Sequence, residues 1–144
     1  MNNTTHLALA CLGMVLLSFA VGARLLYVRS TEMRQKRVHP QAAATSLQMA
    51  AKLLNVQAAD NFRNLFETPV MFYALVAIAI AVGTTPGWLA AGCWLYLALR
   101  VVHSAIHCSY NKVMHRFAAF GLGFVLLLGM WVAFAVALVG RTPA

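Results

Sequence analysis

Arg63, Asn64 and Glu67 occur within one helical turn, and Asp60 stands one turn before Asn64. A helix through them carries guanidinium, amide and carboxylate on one face. Tyr96, Arg100, His103, His107 and Asn111 follow one another at intervals of four, three, four and four, a polar stripe along an otherwise apolar segment. His115 and Arg116 come soon after, and Arg24 and Arg29 close the first apolar run. The guanidinium fork matches a carboxylate through two parallel hydrogen bonds, and Glu67 would receive an ammonium group or orient an arginine. An arginine beside a bound thiol favours the thiolate, the form that attacks electrophiles. The set suits a peptide-like anionic thiol bearing an amine, joined to, or exchanging electrons with, a lipophilic electrophile.

Metal chemistry is a weaker reading. His103 and His107 have the i,i+4 spacing of a metal pair, but no carboxylate or cysteine sits beside them at ligand spacing, and Arg100 on the same face repels a cation. Cys11, Cys93 and Cys108 share no metal-ligand spacing and read as packed free thiols.

The elements that must position these groups are membrane helices. Of the 144 residues, 62% are hydrophobic and 10% charged, whereas soluble domains hold about 45–50% apolar and about 25% charged residues. The apolar residues fall in four runs, 7–28, 59–82, 88–110 and 114–139, each long enough to cross a bilayer. The opening hexapeptide has no basic n-region, and Arg24 and Arg29 directly follow the first run, so the run reads as a retained anchor. His39-Pro40 breaks any helix continuing from it, and residues 42–54 suggest a short surface helix. Gly83-Thr84-Thr85-Pro86-Gly87 is a tight turn. Residues 1–144 form one domain.

The net charge of +8 lies largely in the segment between the first two runs, which indicates membrane topology rather than nucleic-acid binding. Arg29, Arg34, Lys36, Arg37, Lys52 and Lys112 share one side, and on the other the only Lys or Arg is Arg141. By the positive-inside rule both termini face away from the cytoplasm. In an up-and-down bundle Arg24, Arg63, Glu67, Arg100, His103, His107 and Arg116 all belong to the cytoplasmic end. Ionisable groups in a membrane helix are costly unless paired or facing a wet interior. Simple pairing of Glu67 with Arg63 or Arg100, and snorkelling of Arg24 and Arg29 to head groups, are the structural alternatives. They do not account for a whole stripe.

The order of four spans, Arg63-Asn64-Leu65-Phe66-Glu67 and the spacing Arg100-x-x-His103-x-x-x-His107 followed by Arg116 together resemble the MAPEG family, the membrane-associated proteins of eicosanoid and glutathione metabolism. The resemblance covers nearly the whole chain. Asn61-Phe62-Arg63-Asn64-Leu65-Phe66-Glu67-Thr68-Pro69 looks most like the bacterial members, which implies a bacterial inner membrane. The family implies an all-α four-helix bundle that assembles as a homotrimer, with glutathione as co-substrate between subunits near the cytoplasmic end. On that resemblance Asn64 and Glu67 contact the glutathione backbone and amino group, and Arg63, Arg100, His103 and His107 belong to the same binding set. Arg24 matches the first-helix arginine, with Arg29 the second choice, and Arg116 is the catalytic, thiolate-stabilising arginine.

The sequence departs from the family pattern at three places. Asp60 stands where eicosanoid-type members often carry arginine, His107 where a prostaglandin-forming member has tyrosine, and Phe117 where that member has serine. The implied function is a glutathione-dependent transferase or peroxidase acting on a lipophilic electrophile. The partners are glutathione or a similar thiol, a lipophilic small molecule or lipid, the surrounding membrane lipids and further copies of the chain. The rival is a non-catalytic lipid-binding or partner-binding protein, as the family also contains one. A proton or ion path through His103 and His107 is disfavoured, because the stripe occupies only one end of the bundle.

Overall fold

The computed structural model describes residues 1–140, all of whose regular structure is helical. Helix α1 is Asn3–Gln35, α2 Ser46–Lys52, α3 Gln57–Asn64, α4 Thr68–Ala81, α5 Gly87–His107 and α6 Val113–Val139, with a 3-10 turn at Pro40–Ala43. Asn3–Gln35, Gln57–Ala81, Gly87–His107 and Val113–Val139 are long and apolar enough to cross a membrane. The chain is an integral, multi-pass membrane protein. Arg141, counted above on the far side, lies outside the described residues.

Helix α1 runs well past the apolar stretch 7–28. Asn2 caps its start, accepting from the Thr5 N–H at 2.9 Å. It ends where Arg37 takes a positive φ of 53° ahead of His39-Pro40. The extension has a purpose that the hydropathy pattern does not show. Glu32, near its end, accepts from the backbone N–H groups of Leu54 and Asn55 at 2.7 and 3.1 Å, and from the Asn55 side chain at 3.1 Å. It also pairs with Lys36 at 2.7 Å, and Lys36 donates to the Lys52 carbonyl. The basic connection is thereby tied back onto α1. Within it, Thr45 and Gln48 form a capping box that starts α2.

The second apolar run is not one continuous helix. It breaks at Leu65–Glu67 into α3 and α4. Pro69, in the first turn of α4, explains the break: it has no N–H to bond back to Leu65, and its ring would clash with that carbonyl in a continuous helix. The Phe66 N–H turns instead to Arg63 O at 2.9 Å.

Between helices the interior is close-packed. The Phe72 ring of α4 stacks on Tyr96 of α5, with centroids 4.9 Å apart and planes at 19°. Leu7, Met14, Leu75 and Leu89 are fully enclosed around them. Gly22 lets α1 approach α3, since a Cβ there would come within 3.0 Å of Phe62. Phe19, Leu26, Leu122, Val125 and Val136 point outward, as expected where lipid is the solvent and helix association relies on packing rather than on the hydrophobic effect. At one end of the bundle Asn3 donates to Thr85 O and Trp94 to His6. The opposite end, where α1 and α5 finish and α3 and α6 begin, carries the polar groups.

Candidate functional site

The break between α3 and α4 and the turn between α5 and α6 meet at this end. Asn64 is the last residue of α3, and Glu67 lies in the break itself with φ −97° and ψ −93°. The i,i+3 relation expected of a continuous helix is lost, yet both residues line one cavity of about 260 Å³ with His103, Val113, Arg116, Phe117 and Phe120. Three of these seven residues are apolar and come from α6, so one wall of the cavity suits a hydrophobic group while Glu67, Asn64, His103 and Arg116 offer charge and hydrogen bonds.

Arg116 organises its surroundings. Its Nη1 donates to His107 Nε2 and to Asn111 Oδ1, both at 2.9 Å, and its backbone oxygen accepts from His103 Nδ1 at 3.2 Å. The rings of His103 and His107 stand nearly perpendicular, 5.5 Å apart. Asn111 is not on the helical stripe predicted from spacing: α5 ends at His107, and Asn111 takes a left-handed φ of 48° in the turn. Asparagine tolerates that conformation better than most residues. The turn brings its side chain to Arg116.

Arg100 is only 3% exposed. Its Nε donates to Tyr96 Oη at 3.1 Å, and its guanidinium carbon lies 5.2 Å from the centre of the Phe120 ring and 5.5 Å from that of Tyr96. These contacts hold a cation inside the bundle through aromatic faces rather than a carboxylate. Among the described residues Lys36–Glu32 is the only ion pair, so Glu67 neutralises neither Arg63 nor Arg100 within the chain. No group of three or more His, Cys, Asp or Glu residues suited to a metal occurs among the described residues.

The remaining expected residues do not join this cavity in a single chain. Arg63 lines a second one of about 270 Å³ between α1, α2 and α3, with Arg29, Asp60 and Met49 among its walls. Arg24 lines a third of about 110 Å³ and donates to the Cys108 carbonyl. Beside it lies a buried network that residue spacing did not reveal. Asn61, fully enclosed, accepts from Ser104 at 3.3 Å and donates to the Cys108 sulfur at 3.3 Å. Asn61 opens the segment that resembles the bacterial members and falls one turn before Asn64, but neither signal identifies its partners Ser104 and Cys108.

A four-span bundle with an open cavity at one end, lined by Glu67, Arg116 and hydrogen-bonding side chains beside phenylalanines, defines the class as a multi-pass membrane protein with a polar cavity at one end of its helices. The MAPEG family model matches residues 7–136, nearly the whole chain, and the chain belongs to the MAPEG family, whose members include glutathione transferases and peroxidases as well as non-catalytic proteins. No curated protein and no solved structure matches the chain.

Proposed function

We propose that the protein is a glutathione-dependent transferase or peroxidase that acts on a lipophilic electrophile. The observation that carries this reading is the cavity in which Glu67 and Asn64 face Arg116 and His103 beside Phe117 and Phe120. Glu67 receives the amino group of the tripeptide, Asn64 its backbone, and Arg116 stabilises the sulfur as a thiolate by preorganised positive charge. The electrophile enters sideways from the bilayer along the phenylalanine wall. We place this end of the bundle at the cytoplasmic face, where the basic connection lies, with both termini away from the cytoplasm.

The division of Arg24, Arg63 and Arg116 among three cavities of one chain supports a homotrimer with the thiol site between neighbours. Arginines that point away from each other within a subunit can meet across a heterologous interface. Arg100, enclosed by Tyr96 and Phe120, then supports the site from below rather than touching carboxylates.

Calorimetric titration of the detergent-purified chain with glutathione tests the proposal. Saturable binding that Glu67→Ala abolishes is the expected result. Absence of binding at millimolar-scale glutathione would remove it.

One observation favours a second reading, a non-catalytic lipid-binding protein. One guanidinium nitrogen of Arg116 is already engaged by both His107 and Asn111, a purely structural way to hold the start of α6 to the end of α5. Under that reading the purified protein carries lipid and turns over no electrophile with any thiol.

A further inference from the structure

The outer face of α1 is apolar until it reaches the end of the helix, where it becomes basic. Leu7, Ala10, Met14 and Val21 are buried on one side, and at about 100° per residue Leu12, Leu16, Phe19, Leu26, Ser30 and Arg34 fall on the opposite side. Leu12, Leu16, Phe19 and Leu26 are all exposed, as a surface against lipid must be. From Phe19 to Ser30 this stripe rises about 16 Å, close to one leaflet of a hydrocarbon core of about 30 Å. At its end lies a shallow cavity of about 450 Å³ with Ser30, Met33, Arg34, Arg37, Val38 and His39 among its walls.

The way α1 ends shapes this cavity. The Val38 N–H bonds back to Met33 O at 2.9 Å and the Arg37 N–H to Arg34 O at 3.2 Å, the pair of bonds by which a glycine ordinarily closes a helix. Arg37 fills that left-handed position with a φ of 53°, where a Cβ is unfavourable and glycine is free of the cost. A residue held where a simpler one would be more stable points to a use for its side chain. Arg34 and Arg37 line one cavity, and neither guanidinium has a hydrogen-bond or ion-pair partner among the described residues, where the only ion pair is Lys36–Glu32. A second copy of the chain has no carboxylate to spare for them. Of its three acidic side chains, Glu32 is held by Lys36 and the backbone of Leu54 and Asn55, and Asp60 and Glu67 line the cavities described above. The missing anion comes from outside, at the height where the apolar stripe leaves the hydrocarbon.

We propose that Arg34 and Arg37 bind the phosphate of an anionic phospholipid whose acyl chains lie along Leu26 and Phe19. Guanidinium forks match phosphate oxygens, and a headgroup with a net negative charge is favoured over a zwitterionic one, whose own cation meets the same two arginines. The site is on the outer surface of the bundle, apart from the cavity of Glu67 and Arg116, and it depends on neither reading of the function. A lipid held there fixes the depth of the end of α1, from whose opposite side Glu32 ties down the basic connection.

The test uses the full chain, stripped of lipid in a neutral detergent and titrated with phosphatidylglycerol or with phosphatidylcholine of the same acyl chains. Native mass spectrometry counts the lipid bound per subunit. Saturable retention of phosphatidylglycerol, with phosphatidylcholine bound far more weakly, is the expected result. Arg34→Gln and Arg37→Gly should each weaken phosphatidylglycerol binding about fivefold, the scale of one basic residue at an anionic surface. Lys52→Gln, which removes a charge from the same connection but outside the cavity, should leave it unchanged. Without lipid, Arg37→Gly should have a higher thermal midpoint than the wild type, because glycine takes the left-handed position freely, so its lost lipid is not a loss of folding. Arg34→Gln, on the exposed face of a regular helix, gives the same reading with no backbone change. Equal retention of the two lipids overturns the proposal, as does a loss in Lys52→Gln equal to that in the arginine variants, which would mean diffuse attraction only. Displacement of phosphatidylglycerol by millimolar inorganic phosphate gives the cavity to free phosphate instead. A changed subunit count in Arg34→Gln, with lipid retention unaltered, gives this face to a second copy of the chain and also overturns the proposal.

Discussion

Arg116 and His107 are nine positions apart on two helices, and the 2.9 Å bond from Nη1 to Nε2 spans the turn between them. The bond does two things at once. It closes the end of α5 against the start of α6, and it sets the direction in which the rest of the guanidinium faces the cavity. A ring nitrogen of His107 supplies the acceptor. Replacing His107 with phenylalanine removes the acceptor and keeps the ring, so Arg116 is left with Asn111 alone. Turnover is expected to fall roughly tenfold, the scale of one hydrogen bond to a charged group. His107→Gln, which restores an acceptor, should recover most of it. Equal activity in His107→Phe and wild type would show that Asn111 suffices to aim the arginine.

Arg116 itself should matter more to the reaction than to binding. Removing one preorganised donor from an oxyanion site costs about a hundredfold to a thousandfold in turnover, and a developing thiolate makes the same demand. Arg116→Ala is expected to lose that much in kcat, while the dissociation constant for S-methylglutathione, which has no ionisable sulfur, moves far less. Steady-state kinetics beside calorimetry separates the two. Loss of affinity with kcat preserved would assign Arg116 to ground-state binding instead.

The network of Asn61, Ser104 and Cys108 predicts a stability effect that is independent of any ligand. Asn61 is fully enclosed with both ends of its amide engaged. In Asn61→Ala the Ser104 hydroxyl loses its acceptor in the interior, at a cost of about 1–3 kcal/mol, so the thermal midpoint in detergent should drop. In Asn61→Ala combined with Ser104→Ala no hydroxyl is left unpaired, and the drop should be smaller than the sum of the two single changes. Strict additivity in thermal unfolding would show that the pair does not act as a unit.

The parts of this architecture that depend on local period were legible in the sequence, and those that depend on helix rotation or on distant partners were not. Apolar runs of the right length gave the four spans. The intervals from Tyr96 to His107 gave one buried face of α5, because 3.6-residue periodicity maps directly onto burial. The break at Leu65–Glu67 also had a local signal in Pro69, but the hydropathy of the run concealed it. Nothing local marks Glu32, whose backbone partners lie 22 and 23 residues away. The same holds for His103, whose orientation comes from a backbone carbonyl and not from a side chain that spacing can identify. The assignment of Arg24, Arg63 and Arg116 to separate cavities reflects how each helix is turned about its axis, which periodicity leaves open.

That separation leads to a prediction about assembly. If Arg24 of one subunit and Arg116 of its neighbour serve one site, neither Arg24→Ala nor Arg116→Ala homo-oligomers contain an intact site. Co-expressing the two variants creates mixed oligomers in which some interfaces join a subunit with an intact Arg24 to one with an intact Arg116. In a trimer with a heterologous interface every mixed oligomer contains one intact site in three, and activity of the co-purified oligomers should return to about that fraction of wild type. The test reads turnover of glutathione conjugation in co-purified oligomers, each variant carrying a different affinity tag. Restored activity places the site between subunits, since no single chain in the mixture has both arginines. No recovery, with mixed oligomers demonstrably present, confines the two arginines to one chain or removes Arg24 from the site. Arg24 would then be a structural cap on the Cys108 carbonyl, the one bond it makes among the described residues.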